Sequence, residues 1–377
     1  MNFSKRANGR VLVIGAGVVG LTTALCLRRR GFQPIVVAEK FAPETTSNVA
    51  GALWEWPPSV CGRHHDERLL DHAKTWSMES YREFERLATQ PGSGVTLRTA
   101  VFYFKQPVAD NALEWAKMNE LKHRVRAFRH SPELITEYGI SPKSGVVDAY
   151  EMRAPTIDTD RYMAWLKQEA TTAGCAFVQK RIPSPLREHE DTLRRQFGVD
   201  AIVNCSGLGS VALAADDSLS PHRGALIRVR NDGKTMPRVE RAHCVANDPS
   251  QEDQDMVFIV PRGEDTLLLG GLVEADEWRT DINLRNYAPI QRILERCTAF
   301  LPALSSASID PIEPARVGLR PFREQNARVE HETGTSIIHN YGHGGSGVTL
   351  SWGCAFQVAD LMDELLGQQT LAYGTGA

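Results

Sequence analysis

Three closely spaced glycines near the start of the chain have the spacing of a phosphate-binding turn. Gly15, Gly17 and Gly20 follow the apolar run RVLVIG and precede a helical pattern. In such a turn the first glycine permits the bend, the second lets the backbone approach a pyrophosphate, and the third allows close helix–strand packing. The helix that follows offers free backbone N–H groups, here at Val18 and Val19, to the phosphates.

An acidic residue ends the next apolar segment. Residues 34–38 read as a second strand, and Glu39 follows at its end, where a carboxylate can accept hydrogen bonds from ribose hydroxyls. Strand, glycines, helix and acid are all in register, which predicts a dinucleotide site rather than a glycine-rich turn that binds nothing. An acid here is typical of a ribose without a 2′-phosphate, and the pattern alone fits NAD and FAD equally well.

A second glycine loop lies near the end of the chain. Four glycines fall within residues 342–347, and residues 348–366 read as a helix, so backbone donors again meet the positive end of a helix dipole. Reduced flavin carries negative charge that such an end would stabilise. Together the two loops favour FAD over NAD, because an NAD-dependent dehydrogenase leaves the second loop unexplained. The residues of this loop expected at the cofactor are Gly344, Gly345, Ser346, Gly347, Val348 and Thr349.

Two arginines four residues apart suggest anion binding. Strand alternation places Arg316 and Arg320 on one face of the extended segment RVGLRPFR. An arginine that faces a cofactor pocket is a natural bidentate partner for a substrate carboxylate. The alternative interpretation is a solvated basic edge.

The remaining pattern predicts an α/β fold in two interleaved parts. A Rossmann-like FAD-binding domain is expected over residues 9–58, 150–220 and 325–369, and a substrate domain on a mixed, largely antiparallel sheet over 59–149 and 221–324. Within the first, an apolar strand ends in Ser206-Gly207, and ligands pass such strand ends in doubly wound sheets. The other expected elements are helices at 66–88, 160–172 and 289–301 and strands at 175–179, 225–230, 256–261 and 266–272.

Composition excludes several classes of protein. The 377 residues carry 43 Lys+Arg and 46 Asp+Glu, a net charge of −3, which argues against a nucleic-acid binder. No apolar run reaches the roughly 18 residues of a membrane span. Seven scattered cysteines without a CxxC pair favour a reducing cytoplasm over a disulfide framework. No metal site is expected, and His64, His65 and His72 read as solvated histidines.

Several separated motifs, in order, resemble the D-amino-acid oxidase family of FAD enzymes, which includes D-aspartate oxidase. The resemblance covers nearly the whole chain, and the C-terminus GTGA is not a peroxisomal signal, so bacterial members are the more similar. The motifs that carry it are VLVIGAGVVGLTTALCLRR, FAPETTSNVAGALW, IVNCSGLGS, VGLRPFR and NYGHGGSGVTLSWGCA.

The resemblance implies roles for individual residues. Arg320 matches the carboxylate-binding arginine of the family and is counted among the cofactor contacts as well, while Gly345 would offer its carbonyl to the substrate amine. The other implied cofactor contacts are Glu39, Lys40, Arg181 and Ile182 at the adenosine, Thr45, Thr46 and Ser47 at the phosphates and nearby flavin, Gly51, Ala52 and Leu53 at the flavin edge, and Gly344, Gly345 and Thr349 at its pyrimidine ring.

The sequence departs from the family at the substrate. Phe258 replaces a tyrosine whose hydroxyl helps to bind the substrate carboxylate, and no tyrosine occurs from 163 to 286 to act as the second, lid tyrosine. Glu55 replaces a glutamine; it would favour a cationic or longer basic substrate, or it faces solvent. Ser346 stands where animal members have tyrosine.

The implied function is oxidation of a D-amino acid. Hydride transfer from Cα to flavin N5 would give an imino acid, which hydrolyses to a 2-oxo acid and ammonia, while dioxygen becomes hydrogen peroxide. The substrate departures keep a second interpretation open, an oxidase of glycine, an N-substituted amino acid or a specialised intermediate. A flavin-binding module without turnover is a third. The expected partners are the amino acid and dioxygen, and a homodimer is left open.

Overall fold

Residues 9–56, 67–245 and 256–374 are described by the computed structural model, and their strands form two sheets. The first has six strands in the order β14-β15-β7-β1-β2-β6; β14 is antiparallel to β15 and the other pairs are parallel. Its strands are β1 (Arg10–Ile14), β2 (Gln33–Ala38), β6 (Ala176–Gln179), β7 (Ala201–Asn204), β14 (Arg328–His331) and β15 (Ile337–Tyr341).

The second sheet has nine strands and is mostly antiparallel. Its order is β12-β8-β11-β10-β9-β3-β5-β4, with β13 also paired to β8, and only β3 and β9 run parallel among the described pairs. The strands are β3 (Val95–Phe104), β4 (Arg129–His130), β5 (Asp148–Ile157), β8 (Leu219–Arg230), β9 (Ala242–Val245), β10 (Val257–Arg262), β11 (Thr266–Gly270), β12 (Glu274–Ala275) and β13 (Ala315–Arg323).

Helices cover both faces of each sheet: in the second sheet, α9 packs on one face and α3 and α4 on the other. The α-helices are α1 (Val18–Arg29), α2 (Thr46–Val49), α3 (Glu67–Leu87), α4 (Ala112–Leu121), α5 (Leu134–Glu137), α6 (Thr159–Thr172), α7 (Leu186–Phe197), α8 (Ser210–Leu213), α9 (Ala288–Phe300) and α10 (Gly347–Gly374). Short 3₁₀ helices occupy Val108–Asp110, Pro142–Ser144, Gly207–Gly209, Pro302–Ser306 and Gly344–Ser346.

Alternation along β1 explains the layered core. Val11 and Val13 are buried in the cluster formed with α1, α6 and α10, whereas Leu12 and Ile14 are buried in the cluster on the α7 side. A parallel strand buried on both faces is expected to be continuously apolar, as RVLVI is. Because β1 lies between β2 and β7, the strand order reverses beside it, and ligands of open α/β sheets bind at such a point.

The predicted α/β class and the mixed, largely antiparallel second sheet are confirmed. The proposed domain limits remain an interpretation, and two of them fall inside strands. The limit at 150 lies within β5, which pairs along its whole length with β3, and the limit at 221 lies within β8. β8 begins at Leu219 rather than at the predicted 225, because β13 pairs with it from that residue onward.

Membrane and metal features can be stated for the described ranges only. None of their helices is long and apolar enough to cross a membrane. No cluster of His, Cys, Asp or Glu in the same ranges is placed to hold a metal ion. His72 makes a ring contact with Trp76 on α3, while His64 and His65 lie outside the described residues. The six cysteines in these ranges are buried, and Cys61 lies outside the described residues.

Candidate active site

One cavity of about 1060 Å³ runs from the carboxyl ends of β1 and β7 to the facing side of the second sheet. It is at the upper end of the roughly 300–1,000 Å³ of ligand pockets. Every predicted cofactor or substrate residue except Gly20 lines it. These are Gly15, Gly17, Val18, Val19, Glu39, Lys40, Thr45, Thr46, Ser47, Gly51, Ala52, Leu53, Glu55, Arg181, Ile182, Ser206, Gly207, Phe258, Arg320, Gly344, Gly345, Ser346, Gly347, Val348 and Thr349.

The first glycine turn leaves no room for side chains where the sheet and helix meet. Gly15 has φ +115°, and a Cβ there would lie 2.3 Å from the Cys205 carbonyl oxygen. A Cβ on Gly20 would lie 2.0 Å from the Gly15 oxygen, so Gly20 serves helix–strand packing and does not line the cavity. A Cβ on Gly17 would meet only the Ser47 hydroxyl, at 3.1 Å. The turn therefore opens towards the cavity at Gly17.

The segment after β2 is fixed between the two sheets. The Ser47 hydroxyl accepts a hydrogen bond from the Val18 N–H at 2.9 Å, which joins α2 to the start of α1. Ala52 has φ +51°, and its carbonyl accepts from the Ile157 N–H of β5 at 3.0 Å. These two hydrogen bonds fix the first glycine turn and the predicted flavin-edge segment relative to each other.

A buried arginine that the sequence did not single out fastens this segment. Arg262, at the end of β10, donates to the carbonyls of Ala50 and Gly51, the latter at 3.3 Å, and to the Thr159 hydroxyl at 2.8 Å. Burial lowers the pKa of Arg262 to about 10. The arginine ties the predicted flavin edge to the substrate sheet, and β-strand periodicity alone gave no signal for it.

The second glycine loop presents polar atoms without partners at the cavity. Gly344–Ser346 forms a 3₁₀ turn that leads into α10, and neither α1 nor α10 has an acidic residue in its first turn. Asn340 Oδ1 and His343 Nε2 are buried without a hydrogen-bond partner in the described structure, and both residues line the cavity. Burial lowers the pKa of His343 to about 4, so its imidazole is neutral near pH 7.

These features fit a bound FAD. Two helix N-termini without acidic residues favour anionic groups, and the orphaned amide and imidazole atoms are available to a polar ring system. Lys40, Lys180 and Arg181 line the end of the cavity beyond β2, opposite the second loop. Ser206 and Gly207 border the middle, where the Ser206 hydroxyl donates to Asn204 Oδ1 at 2.7 Å.

The two arginines of β13 have opposite environments. Arg316 donates to both Asp160 oxygens, at 3.0 and 2.7 Å, and to the Asn48 carbonyl at 2.9 Å. Although burial opposes its charge, Glu313 and Asp160 raise the pKa of Arg316. Arg316 therefore forms a structural ion pair with Asp160. Unlike Arg320, it does not line the cavity.

Arg320 lies at the cavity without an acidic partner among the described residues. Its Nη1 donates only to the carbonyls of Arg223, at 3.3 Å, and Leu272, at 3.1 Å. Burial lowers the pKa of Arg320 to about 10, which leaves it charged near pH 7. A cation removed from water without a counterion favours an anionic ligand, so this guanidinium can bind a carboxylate.

A glycine in the neighbouring strand makes room for this guanidinium. A Cβ on Gly224 would lie 2.2 Å from Arg320 Nη1, and Gly224 pairs in register with Gly318 of β13. Sequence reasoning missed Gly224. The available signal was a glycine inside an apolar strand pattern, which often marks close approach of another group.

Apolar side chains in register form the floor of the cavity near Arg320, the part that we call the substrate end. Phe102, Cys244, Phe258 and Gly270 are aligned across β3, β9, β10 and β11. The Phe258 ring fills the space over the glycines, since a Cβ on Gly51 would lie 2.6 Å from its Cε1. A phenylalanine here packs against the flavin-edge segment and offers no hydroxyl to a carboxylate. Beside Phe258, the cation available to a carboxylate is therefore Arg320.

Two further side chains complete the substrate end. The sequence left Glu55 either near the substrate or facing solvent. In the structure it lines the cavity and is partly buried. Trp278, in the segment between β12 and α9, also lines the cavity and is 58% exposed. The sequence pattern does not single out Trp278 or Phe102, because their positions depend on strand pairing that the local pattern does not reveal.

The fold and the two glycine turns fit an FAD-binding oxidoreductase. Residues 10–361 match the family described as FAD dependent oxidoreductase (DAO), and the chain belongs to that family. It is 36% identical over 359 residues to a D-amino-acid oxidase of Rubrobacter xylanophilus, covering 94% of this chain and 96% of that protein. It is 32% identical to a D-amino-acid oxidase of Streptomyces coelicolor, covering 94% and 97%.

Solved structures show the same fold at lower identity. A glycine oxidase from Geobacillus kaustophilus superposes with a TM-score of 0.72 at 16% identity, covering 94% of this chain and 95% of that one. The predicted family, its FAD cofactor and its oxidoreductase class are confirmed by the family match.

Proposed function

We propose that this protein oxidises D-amino acids with FAD, converting the amine through an imino acid to a 2-oxo acid and ammonia while dioxygen becomes hydrogen peroxide. The D configuration is supported by the 36% identity with a D-amino-acid oxidase across nearly the whole chain. The observation that carries the proposal is the Arg320 guanidinium, which lies in the same cavity as the two glycine loops. Among the described residues it donates to two backbone carbonyls and has no acidic partner.

Bound FAD supplies the acceptor for the hydride that leaves the substrate's Cα. Arg320 binds the substrate carboxylate and fixes one end of the molecule. We infer that the Gly345 carbonyl accepts a hydrogen bond from the substrate amine, which fixes a second point. Two fixed substituents leave the Cα–H a single direction, so catalysis rests on orientation.

The chain's own side chains then exclude water from the reacting centre. Phe258 packs against Gly51 and Gly270, and Leu226 flanks Gly270 from the other side. These apolar groups strengthen the Arg320–carboxylate interaction because they keep the local dielectric low. We propose the cofactor contacts in the same way: the first glycine turn and Ser47 at the pyrophosphate, Glu39, Lys40, Arg181 and Ile182 at the adenosine, and the second loop at the flavin.

Anaerobic bleaching of the flavin absorption tests the proposal. The panel contains D-alanine, D-methionine, D-arginine, D-aspartate, their L-isomers, glycine and sarcosine. Bleaching by D-isomers and not by L-isomers is the expected result. Bleaching by glycine or sarcosine alone would favour the alternative function, an oxidase of glycine or of an N-substituted amino acid. That alternative is open because Phe258 stands where the family has a tyrosine hydroxyl. Stable FAD that nothing in the panel bleaches would contradict oxidase function.

Location and assembly form a separate proposal. The cysteines are scattered along the sequence without a CxxC pair, and the six in the described ranges are buried, so we propose a reducing compartment, the cytoplasm. The homodimer stays a prediction, which light scattering of the FAD-bound protein measures directly.

A further inference from the structure

The substrate end of the cavity contains two residues of opposite charge, Arg320 and Glu55. Arg320 lies over Gly224 of β8, and Glu55 lines the same cavity. The Trp54 N–H donates to the Pro155 carbonyl of β5 at 2.9 Å, which fixes the backbone next to Glu55 beside the second sheet. The wall between them is apolar and includes Leu226, Phe258 and Met256.

An ion pair on α4 lies near Glu55 among the described residues. Lys117 lies 3.7 Å from Glu114. Burial opposes the charge on Lys117, but Tyr150, Glu55 and Glu114 raise its pKa. Of these three charged groups, Glu55 is the one that lines the cavity.

The strand order leaves an apolar path between the two charges. β11 and β10 lie between β8, over which the Arg320 guanidinium lies, and β9, whose Cys244 lines the cavity. The side chains of arginine and lysine place methylene groups between Cα and the cation. The apolar wall between them suits the methylene chain.

From this arrangement we propose that Glu55 selects D-amino acids with a cationic side chain, of the length of arginine or lysine. The inference rests on the proposed function. Arg320 takes the α-carboxylate, the methylenes lie along Phe258 and Leu226, and the Glu55 carboxylate accepts hydrogen bonds from the distal guanidinium or ammonium.

The test compares isosteric substrates that differ in side-chain charge. For the FAD-bound protein, kcat/KM is measured for D-arginine against D-citrulline and for D-lysine against D-2-aminoheptanoate. We expect the cationic member to be preferred about tenfold or more, and the ratio to fall towards one in Glu55→Gln. Glu120→Gln removes an equal charge from the exposed side of α4, where Glu120 pairs with Lys74, and should leave the ratio unchanged. A ratio at or below one, or a ratio that Glu55→Gln leaves unaltered, overturns the proposal.

A binding measurement separates this inference from the proposed reaction. 5-Guanidinopentanoate lacks the α-amine and cannot be deaminated, and hexanoate is its uncharged counterpart. Calorimetry with the FAD-bound protein should show tighter binding of the guanidino acid in the wild type and in Glu55→Asp, but not in Glu55→Gln. That result together with no turnover of any D-amino acid would sink the proposed function alone. Equal affinities together with D-amino-acid turnover would sink the charge selection alone.

Discussion

The two ends of the cavity are built from different materials. The nucleotide end consists mainly of backbone groups in turns, with Gly15 and Gly17 at one helix N-terminus and the 344–346 turn at another. The substrate end consists of side chains from β3, β8, β9, β10 and β13, which approach one another only through strand pairing. In the proposed function, cofactor binding therefore depends on where side chains are absent, and substrate binding depends on which side chains are present.

This difference predicts separable failures. A side chain added at the nucleotide end should remove the cofactor and with it all activity. A changed side chain at the substrate end should leave FAD bound and raise KM.

The largest effect is expected for Gly15→Ala. The φ of +115° is unfavourable for alanine, and the Cβ would lie 2.3 Å from the Cys205 carbonyl oxygen, a backbone atom that cannot move away alone. We expect FAD affinity to fall about 100-fold or more, as measured by fluorescence titration of the apoprotein. Gly92→Ala is the control, because Gly92 also has a positive φ, +84°, but no atom within 4 Å of its Cβ position. Equal FAD affinity in the two variants would contradict the proposed pyrophosphate turn.

Arg320→Met should have the next largest effect. Loss of a buried charged partner costs roughly 2–5 kcal/mol, so kcat/KM should fall about a thousandfold while FAD stays bound. Arg316→Met is the matched control on the same face of β13. It breaks the Asp160 pair, so we expect a lower unfolding temperature and a much smaller change in KM. Steady-state kinetics and thermal unfolding of both variants measure the contrast, and a similar KM in both would remove Arg320 from the substrate site.

A smaller effect is expected from two glycines that face each other in register. Gly224→Ala places a Cβ 2.2 Å from Arg320 Nη1, which displaces the guanidinium, and KM should rise about 10-fold or more. In Gly318→Ala the nearest atoms belong to Val49, at 3.1 Å, and KM should change less. The reverse order of the two KM values would show that Arg320 binds substrate from another position.

The smallest effect concerns a link between the sheets. Asp216 accepts hydrogen bonds from Ser218, from Arg323 at 2.8 Å and from Tyr341 at 2.7 Å. Burial opposes its charge, but these donors hold the pKa of Asp216 well below its usual range. Asp216→Asn should lower the free energy of unfolding by about 1–2 kcal/mol at pH 7.

The pH dependence gives the sign of this contribution. A carboxyl whose pKa is depressed in the folded state stabilises the protein fully above its unfolded pKa of about 3.9, and the contribution is lost as pH falls below it. The difference between wild type and Asp216→Asn in urea unfolding should therefore be constant from pH 7 to about pH 5 and shrink towards pH 3. A difference that grows on acidification would contradict the folded-state ion pair.

The sequence predicts the nucleotide end of the cavity better than the substrate end. The glycine turn, Glu39 and the 344–349 loop were found because contiguous residues specify them, and strand and helix periods located most elements. Gly224, Arg262 and Trp278 were not found, because the sequence does not state which strand lies beside which. Arg316 and Arg320 are alike in a strand pattern; Asp160 and Glu313, which pair with Arg316 and not with Arg320, distinguish them.

The interleaving of the chain sets the time at which the cofactor site exists during synthesis. β1 pairs with β7, β7 pairs with β15, and the second glycine loop follows directly after β15. A nascent chain that has emerged only to residue 330 already carries the first turn but lacks β15 and α10. Since domains form as their residues leave the ribosome, FAD meets its full site only after the last helix has been made. Flavin retention therefore reports whether translation reached the final strand and helix, and a chain truncated before residue 337 would leave the ribosome without that site.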